Sequence, residues 1–125
     1  MILDTNALSD IAEAEPNAVA VFSSAEIIAI PVIVLGEYRF GIAGSRRRAE
    51  YDKWLAASLP SCRVLEIDEQ TTFGYAAIRS ELRDAGTPIP SNDTWIAALC
   101  RQYGLALLSR DRHFDRVKGI HRVSW

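Results

Sequence analysis

The sequence predicts an α/β fold: a three-layer α/β/α sandwich with a central, mainly parallel sheet. Short runs that are almost wholly apolar recur at residues 1–5, 27–30, 64–67 and 105–108. The segments between them are long enough for one or two helices each and carry helix start and stop signals. Strands apolar on both sides belong in a sheet covered on both faces, which is the habit of parallel sheets built from alternating strands and helices.

The elements follow in order. Met1-Ile2-Leu3-Asp4-Thr5 reads as a buried strand ending at an acidic turn. Asn6 or Ser9 is then expected to cap a helix through about Ala14, and Pro16-Asn17 to open another through about Ser24. Ile27–Ile30 is the second strand. Pro31 suits the first turn of the next helix, where its missing N–H has no partner to lose; that helix runs from about Val32 to Ile42 and stops near Gly41 or Gly44. Arg46–Ser58 reads as a helix with Tyr51, Trp54 and Leu55 at apolar spacing, ended by Pro60. Val64–Ile67 is the third strand. Asp68 stands where an N-cap belongs for a helix over 69–85, stopped by Gly86. Thr87-Pro88-Ile89-Pro90 cannot be helical. A helix follows from Ser91 or Asn92 to Tyr103, Gly104 closes it, Leu105–Leu108 is the fourth strand, and Ile120–Val123 is a candidate fifth.

With 125 residues, 49% of them hydrophobic and 24% charged, the chain fits one domain over 1–125 with a core of its own. The longest apolar stretch, Ile27 to Gly36, holds Pro31 and is too short to span a bilayer. The first residues lack the basic flank and apolar run of a signal peptide. A cytoplasmic protein without a membrane partner is expected. Cys62 and Cys100 belong to no CxxC or CxxH pattern and read as two reduced thiols.

The net charge of −2 conceals an asymmetry. Residues 1–38 contain six acids, among them Asp4, Asp10 and Glu37, and no base. Basic residues then cluster as Arg39 with Arg46, Arg47 and Arg48, and again from Arg110 to Arg122. A chain can bind nucleic acid with a modest pI if its cations share one face.

In open parallel sheets, sites gather at the carboxyl ends of the strands. Asp4 ends the first strand and Asp111 lies just past the fourth. Asp93 opens the helix before the fourth strand, and Glu37 sits in the first two turns of the helix after the second. Any one of them alone reads as a cap, a turn acid or a solvated side chain. Four on one edge read differently, because clustered carboxylates repel unless a cation compensates them. Hard oxygen donors without Cys or His select Mg2+ or Mn2+. Such an ion can lower the pKa of a bound water and stabilise charge at a phosphoryl oxygen, which suffices for phosphodiester hydrolysis. No Ser-His-Asp or Cys-His set competes, and His113 reads as a packing or substrate-touching residue. Gly41-Ile42-Ala43-Gly44 lacks the lysine of a phosphate-binding loop.

Four segments together resemble the PIN-domain family, in its VapC and FitB-like branch: Met1-Ile2-Leu3-Asp4-Thr5-Asn6; Leu35-Gly36-Glu37-Tyr38-Arg39-Phe40-Gly41-Ile42; Asn92-Asp93-Thr94-Trp95-Ile96-Ala97-Ala98; and Leu108-Ser109-Arg110-Asp111-Arg112-His113-Phe114. The resemblance covers essentially the whole chain. It implies an endoribonuclease toxin of a toxin–antitoxin pair, with Asp4, Glu37, Asp93 and Asp111 as the acidic quartet for Mg2+ or Mn2+. Asp4 and Asp93 would be direct ligands, Asp111 a ligand through water, and Glu37 a ligand or the residue that orients the attacking water. Asn6 matches a polar residue supporting the first aspartate, and Ser109 a hydroxyl residue bracing the site. The family further implies an RNA substrate, homodimers, and a VapB-like antitoxin in heterotetramers or larger assemblies. Arg39, Arg46, Arg47, Arg48, Arg110 and Arg112 are candidates for contact with RNA or antitoxin. Two other readings compete: phosphotransfer through an aspartyl-phosphate at Asp4, which would want an acid where Asn6 stands and a late lysine, and a PIN-like binding module without nuclease activity.

Overall fold

In the computed structural model, which describes residues 1–125, five strands form one sheet: β1 (Ile2–Leu3), β2 (Ala29–Pro31), β3 (Arg63–Leu65), β4 (Leu107–Leu108) and β5 (Arg122–Val123). Their order is β3-β2-β1-β4-β5, and every neighbouring pair is parallel. The chain steps outward from β1 to β2 to β3, then returns to the other side of β1 for β4 and β5. The reversal leaves a crevice between the carboxyl ends of β1 and β4, the position where open α/β sheets bind ligands.

Six helices flank the sheet: α1 (Thr5–Ala12), α2 (Pro16–Ser24), α3 (Val32–Ile42), α4 (Arg48–Ser58), α5 (Glu69–Asp84) and α6 (Ser91–Tyr103). Helix α1 packs on α2, α3 and α4, while α5 lies along α6. That last pair approaches closely: a Cβ on Gly74 would stand 3.3 Å from the Ala98 Cβ, so only glycine fits without displacing α6. Ile2, Leu3, Leu107, Ile96, Leu99 and Phe114 are wholly buried, and their removal from water supplies the main drive for folding. No helix is long and apolar enough to cross a membrane.

Several boundaries differ from those the sequence predicts. Helix α1 is capped by neither Asn6 nor Ser9 but by Asp4, whose carboxylate accepts from the Thr5 amide at 2.8 Å. The helix therefore begins directly at the strand end, and the Asn6 side chain is released for other work. Pro31 is not in the first turn of α3; it is the last residue of β2, paired with Leu65, and the N-cap of the helix. A proline is tolerated there because a strand end needs no further amide. Arg46 and Arg47 precede α4 rather than belonging to it. Strand β3 ends at Leu65, before Glu66 and Ile67, and β4 and β5 are each two residues long. Asp68 caps α5 as expected, in a reciprocal capping box with Thr71, and Gly104 closes α6 with φ 64°. Cys62 and Cys100 are both free, and burial pushes the Cys100 thiol up to about 12.

Candidate active site

Asp4, Glu37, Asp93 and Asp111 all line one polar cavity of about 520 Å³, together with Thr5, Asn6, Ser91 and Asn92. The topology explains the gathering. Asp4 terminates β1; Asp111 follows β4 and caps a short 3-10 turn over Arg112–Arg116; Glu37 rides the second turn of α3, which leaves the end of β2. Asp93 is in the first turn of α6, returned to the same edge by the non-helical Thr87–Pro90 segment.

Asp4 is 3% exposed and fully engaged. One of its oxygens takes the Thr5 amide; the other accepts from Ser109 Oγ at 2.6 Å and from Asn6 Nδ2 at 3.1 Å. Asn6 also donates to Asp111 Oδ2 at 3.2 Å, and its own oxygen accepts from the Arg110 amide at 3.2 Å. Ser109, wholly buried, accepts from the Asp111 amide at 3.0 Å. Asn6 and Ser109 thus tie Asp4 to Asp111 across the β1–β4 crevice. On the far side of the cavity the contacts are sparser. Thr5 Oγ1 donates to Glu37 Oε1 at 3.1 Å, and His113 Nε2 lies 2.8 Å from Asp93 Oδ2. The His113 contact is short but misdirected, and that nitrogen has no well-aligned acceptor.

The electrostatics register a shared excess of negative charge. Burial raises Asp4 above the ordinary carboxylate range; the bonds from Ser109 and Thr5 oppose it, and Asp111 adds to it. Asp93 is pushed up to about 6, first by burial and then by the charge of Asp4, with His113 opposing and Glu37 reinforcing. A divalent cation would relieve that repulsion, and the donors are all hard oxygens, the set that suits Mg2+ or Mn2+. No three of the carboxylates converge as a ready-made cage. Mg2+ does not require one, since it commonly keeps several waters and takes one or two carboxylates. The donor set therefore fits an open, water-completed ion.

Three supporting residues escaped the sequence reading. Thr5 holds Glu37, and its only signal is a hydroxyl next to Asp4. His113, read as a packing or substrate residue, sits against Asp93 and over the Phe114 ring at 4.8 Å. Arg122 on β5 donates to the Ser109 carbonyl at 3.0 Å and grips Asp115 with two bonds at 2.8 and 2.9 Å, fixing the strand end that bears Ser109. Nothing local in the sequence links those residues. Of the six arginines named above, none lines the acidic cavity. Arg47 pairs with Glu13 and Glu50, Arg48 with Asp52, and Arg110 with Asp10. Arg39, Arg46 and Arg112 are exposed, and none is part of the pocket lining.

Comparison with known proteins places this geometry. The PIN domain family model matches residues 1–120. The chain is 31% identical over 134 aligned positions to VapC ribonuclease Y4jK of Sinorhizobium fredii, spanning 99% of this chain and 96% of that protein. It is 35% identical over 102 positions to Ribonuclease VapC4 of Mycobacterium tuberculosis, spanning 76% and 75%. Among solved structures, it superposes with a TM-score of 0.86 and 25% identity on a chain of VapBC2 from Rickettsia felis bound to a DNA fragment from their promoter, covering 99% of this chain and 97% of that one. With four acids at the switch crevice of a five-stranded parallel sheet and a family match over nearly its whole length, the chain belongs to the PIN-domain family and is VapC-like.

Proposed function

We propose that this chain is a Mg2+- or Mn2+-dependent endoribonuclease, the toxin of a VapBC-type toxin–antitoxin pair, folded as one PIN domain over 1–125. The observation that carries the reading is the gathering of Asp4, Glu37, Asp93 and Asp111 on a single polar cavity, in a chain that is similar along its length to VapC ribonucleases.

Asp4 and Asp93 are the residues to hold the ion directly, Asp111 through water. Asn6 and Ser109 fix the orientation of the Asp4 carboxylate on the cavity wall. Glu37, steadied by Thr5, either adds a ligand or accepts a hydrogen bond from the attacking water. The ion, when bound, supplies a water of lowered pKa and positive charge against the phosphoryl oxygens. The buried, hydrogen-bonded carboxylate of Asp4 reorganises little when charge develops, which is where preorganised sites gain their rate.

The partner is a VapB-like antitoxin, by likeness to the VapBC2 complex; the family resemblance adds a homodimer of this chain inside a heterotetramer or larger assembly. Arg39, Arg46 and Arg112, exposed and without an ion-pair partner, are the readiest to meet RNA or antitoxin. Arg47, Arg48 and Arg110 would first have to leave their carboxylate partners.

The test is cleavage of total cellular RNA by the purified chain with Mg2+ or Mn2+, mapped by end sequencing, beside Asp4→Asn. Discrete cuts that vanish with chelator and with the variant are expected. Intact RNA from a folded, Mn2+-binding chain would instead favour a PIN-like binding module.

A further inference from the structure

Next to the acidic cavity lies a second one, of about 590 Å³, between α5 and the Thr87–Pro90 segment that leads into α6. Ser91 belongs to the walls of both. The two recesses are therefore continuous neighbours, divided by the extended prolyl segment, and Arg116 pins that segment by donating to the Pro88 carbonyl at 3.3 Å. Tyr75, on the wall of the second recess, is backed by Trp95, which does not itself line it, with ring centroids 3.9 Å apart and planes 22° from parallel. The Tyr75 hydroxyl is within 3.0 Å of Ser91 Oγ, which fixes the ring toward the catalytic side. The Arg79 guanidinium lies over the Tyr75 ring, 5.7 Å from its centroid, and donates to its hydroxyl. Arg79 is exposed and forms no ion pair with any carboxylate.

An aromatic wall held in place by a second ring, a guanidinium without a carboxylate partner and hydroxyl groups around one recess form the usual receptor for an unpaired nucleobase and its phosphate. The charge also fits: the carboxylate cavity repels an RNA backbone on its own, whereas Arg79 attracts it from the adjoining wall. We propose that the α5–α6 cavity is a base-binding subsite, which takes one unpaired nucleobase flanking the scissile phosphate of the RNA against Tyr75 and Arg79. The inference rests on the ribonuclease reading and adds to it the place where the substrate is gripped. Specificity for the cut site then resides in part outside the acidic quartet, in the wall formed by α5.

The experiment pairs enzyme variants with abasic substrates. A short RNA that the chain cuts is synthesised with each nucleotide near the cut made abasic in turn, and KM and kcat are measured for the unsubstituted chain, Tyr75→Leu and Arg79→Ala. For the unsubstituted chain, one abasic position beside the cut should raise KM about tenfold or more, the scale of base–aromatic stacking. Tyr75→Leu should raise KM on intact RNA by a similar factor with kcat little changed, and should make the enzyme indifferent to that abasic position. Arg79→Ala, a surface change that leaves the fold in place, should raise KM and flatten its dependence on salt. Effects of variant and abasic site that simply multiply, or an unchanged KM in both variants, overturn the subsite. So does a variant that changes only the mass of the particle in solution, which would assign the cavity to contact between copies of the chain. If the unsubstituted chain cuts no RNA at all, the ribonuclease reading has failed, and the subsite fails with it.

Discussion

The two sides of the acidic cavity are built differently. On the β1–β4 side, Asp4 receives three hydrogen bonds, and Asn6 and Ser109 each serve both Asp4 and Asp111. On the α3–α6 side, Glu37 has one bond, from Thr5, and Asp93 has one misdirected contact with His113. On the first side Asp4 and Ser109 stand at strand ends, where their amides donate to the Leu108 and Val123 carbonyls, with Asn6 in the first turn of α1 beside them; the second side stands on the first two turns of α3 and α6. One side is preformed, while the other is free to adjust when a cation arrives. A site of this kind holds its anchor ligand rigidly and lets the remaining acids close the coordination.

That contrast predicts unequal effects. Asp4→Asn should lower cleavage by about 10³-fold or more, since it removes several kcal/mol of ion and transition-state stabilisation. Glu37→Gln should lower it less, and equal losses from the two would erase the distinction between anchored and adjustable acids. Ser109→Ala strips a 2.6 Å bond from a buried carboxylate and should weaken Mn2+ binding by about 10- to 100-fold, the usual range for a residue that orients a ligand. Thr5→Val, on the looser side, should change Mn2+ affinity only a few-fold, as a titration of both variants would reveal. Arg122→Gln should act through Ser109 and reduce stability by about 1–3 kcal/mol in urea unfolding, with a smaller loss of Mn2+ affinity than Ser109→Ala. Unchanged stability and affinity would remove Arg122 from the supporting network.

A pH dependence follows from Asp93. Its carboxyl holds a proton up to about 6 in the folded chain against an ordinary 3.8, so ionising it opposes folding. The cost is absent below the unfolded value, builds as pH rises from there to about 6, and is fully present and constant above it. A cation offsets it only where the acid is ionised. Mn2+ should therefore raise Tm by more at about pH 7.5 than at about pH 5, by a few degrees if the difference is ~1 kcal/mol. Asp93→Asn should raise Tm of the metal-free chain at the higher pH and remove most of the Mn2+ increment. A Tm increment that is the same at both pH values would show that Asp93 does not face the ion.

The alternation of apolar strands with longer helical segments made the fold class legible, because parallel strands buried on both faces have few other homes. The same alternation placed the four acids on one edge without any knowledge of their side chains. Strand lengths were not legible: Val64, Leu65 and Ile67 read as one mostly apolar run, yet pairing stops at Leu65 where β2 turns into α3 at Pro31. The helix start was legible at Asp68, whose capping box closes with Thr71 three residues on, and illegible at Asp4, which serves as cap and site residue together. The supporting bonds were the least visible. Ser109 reaches Asp4 across 105 positions, and Arg122 reaches a backbone carbonyl, which no side-chain motif encodes. The Asn6 and Ser109 roles came from the family resemblance, while the bonds that define them came only with the fold.

The most direct test of the account is calorimetric titration of Mn2+ into the unsubstituted chain, Asp4→Asn, Asp93→Asn, Asp111→Asn and Glu37→Gln, each checked for folding by circular dichroism. The account predicts saturable binding by the unsubstituted chain, its loss in Asp4→Asn and Asp93→Asn, and partial weakening in the other two. Mn2+ affinity unchanged across all four folded variants would contradict the assignment of this cavity as the metal site.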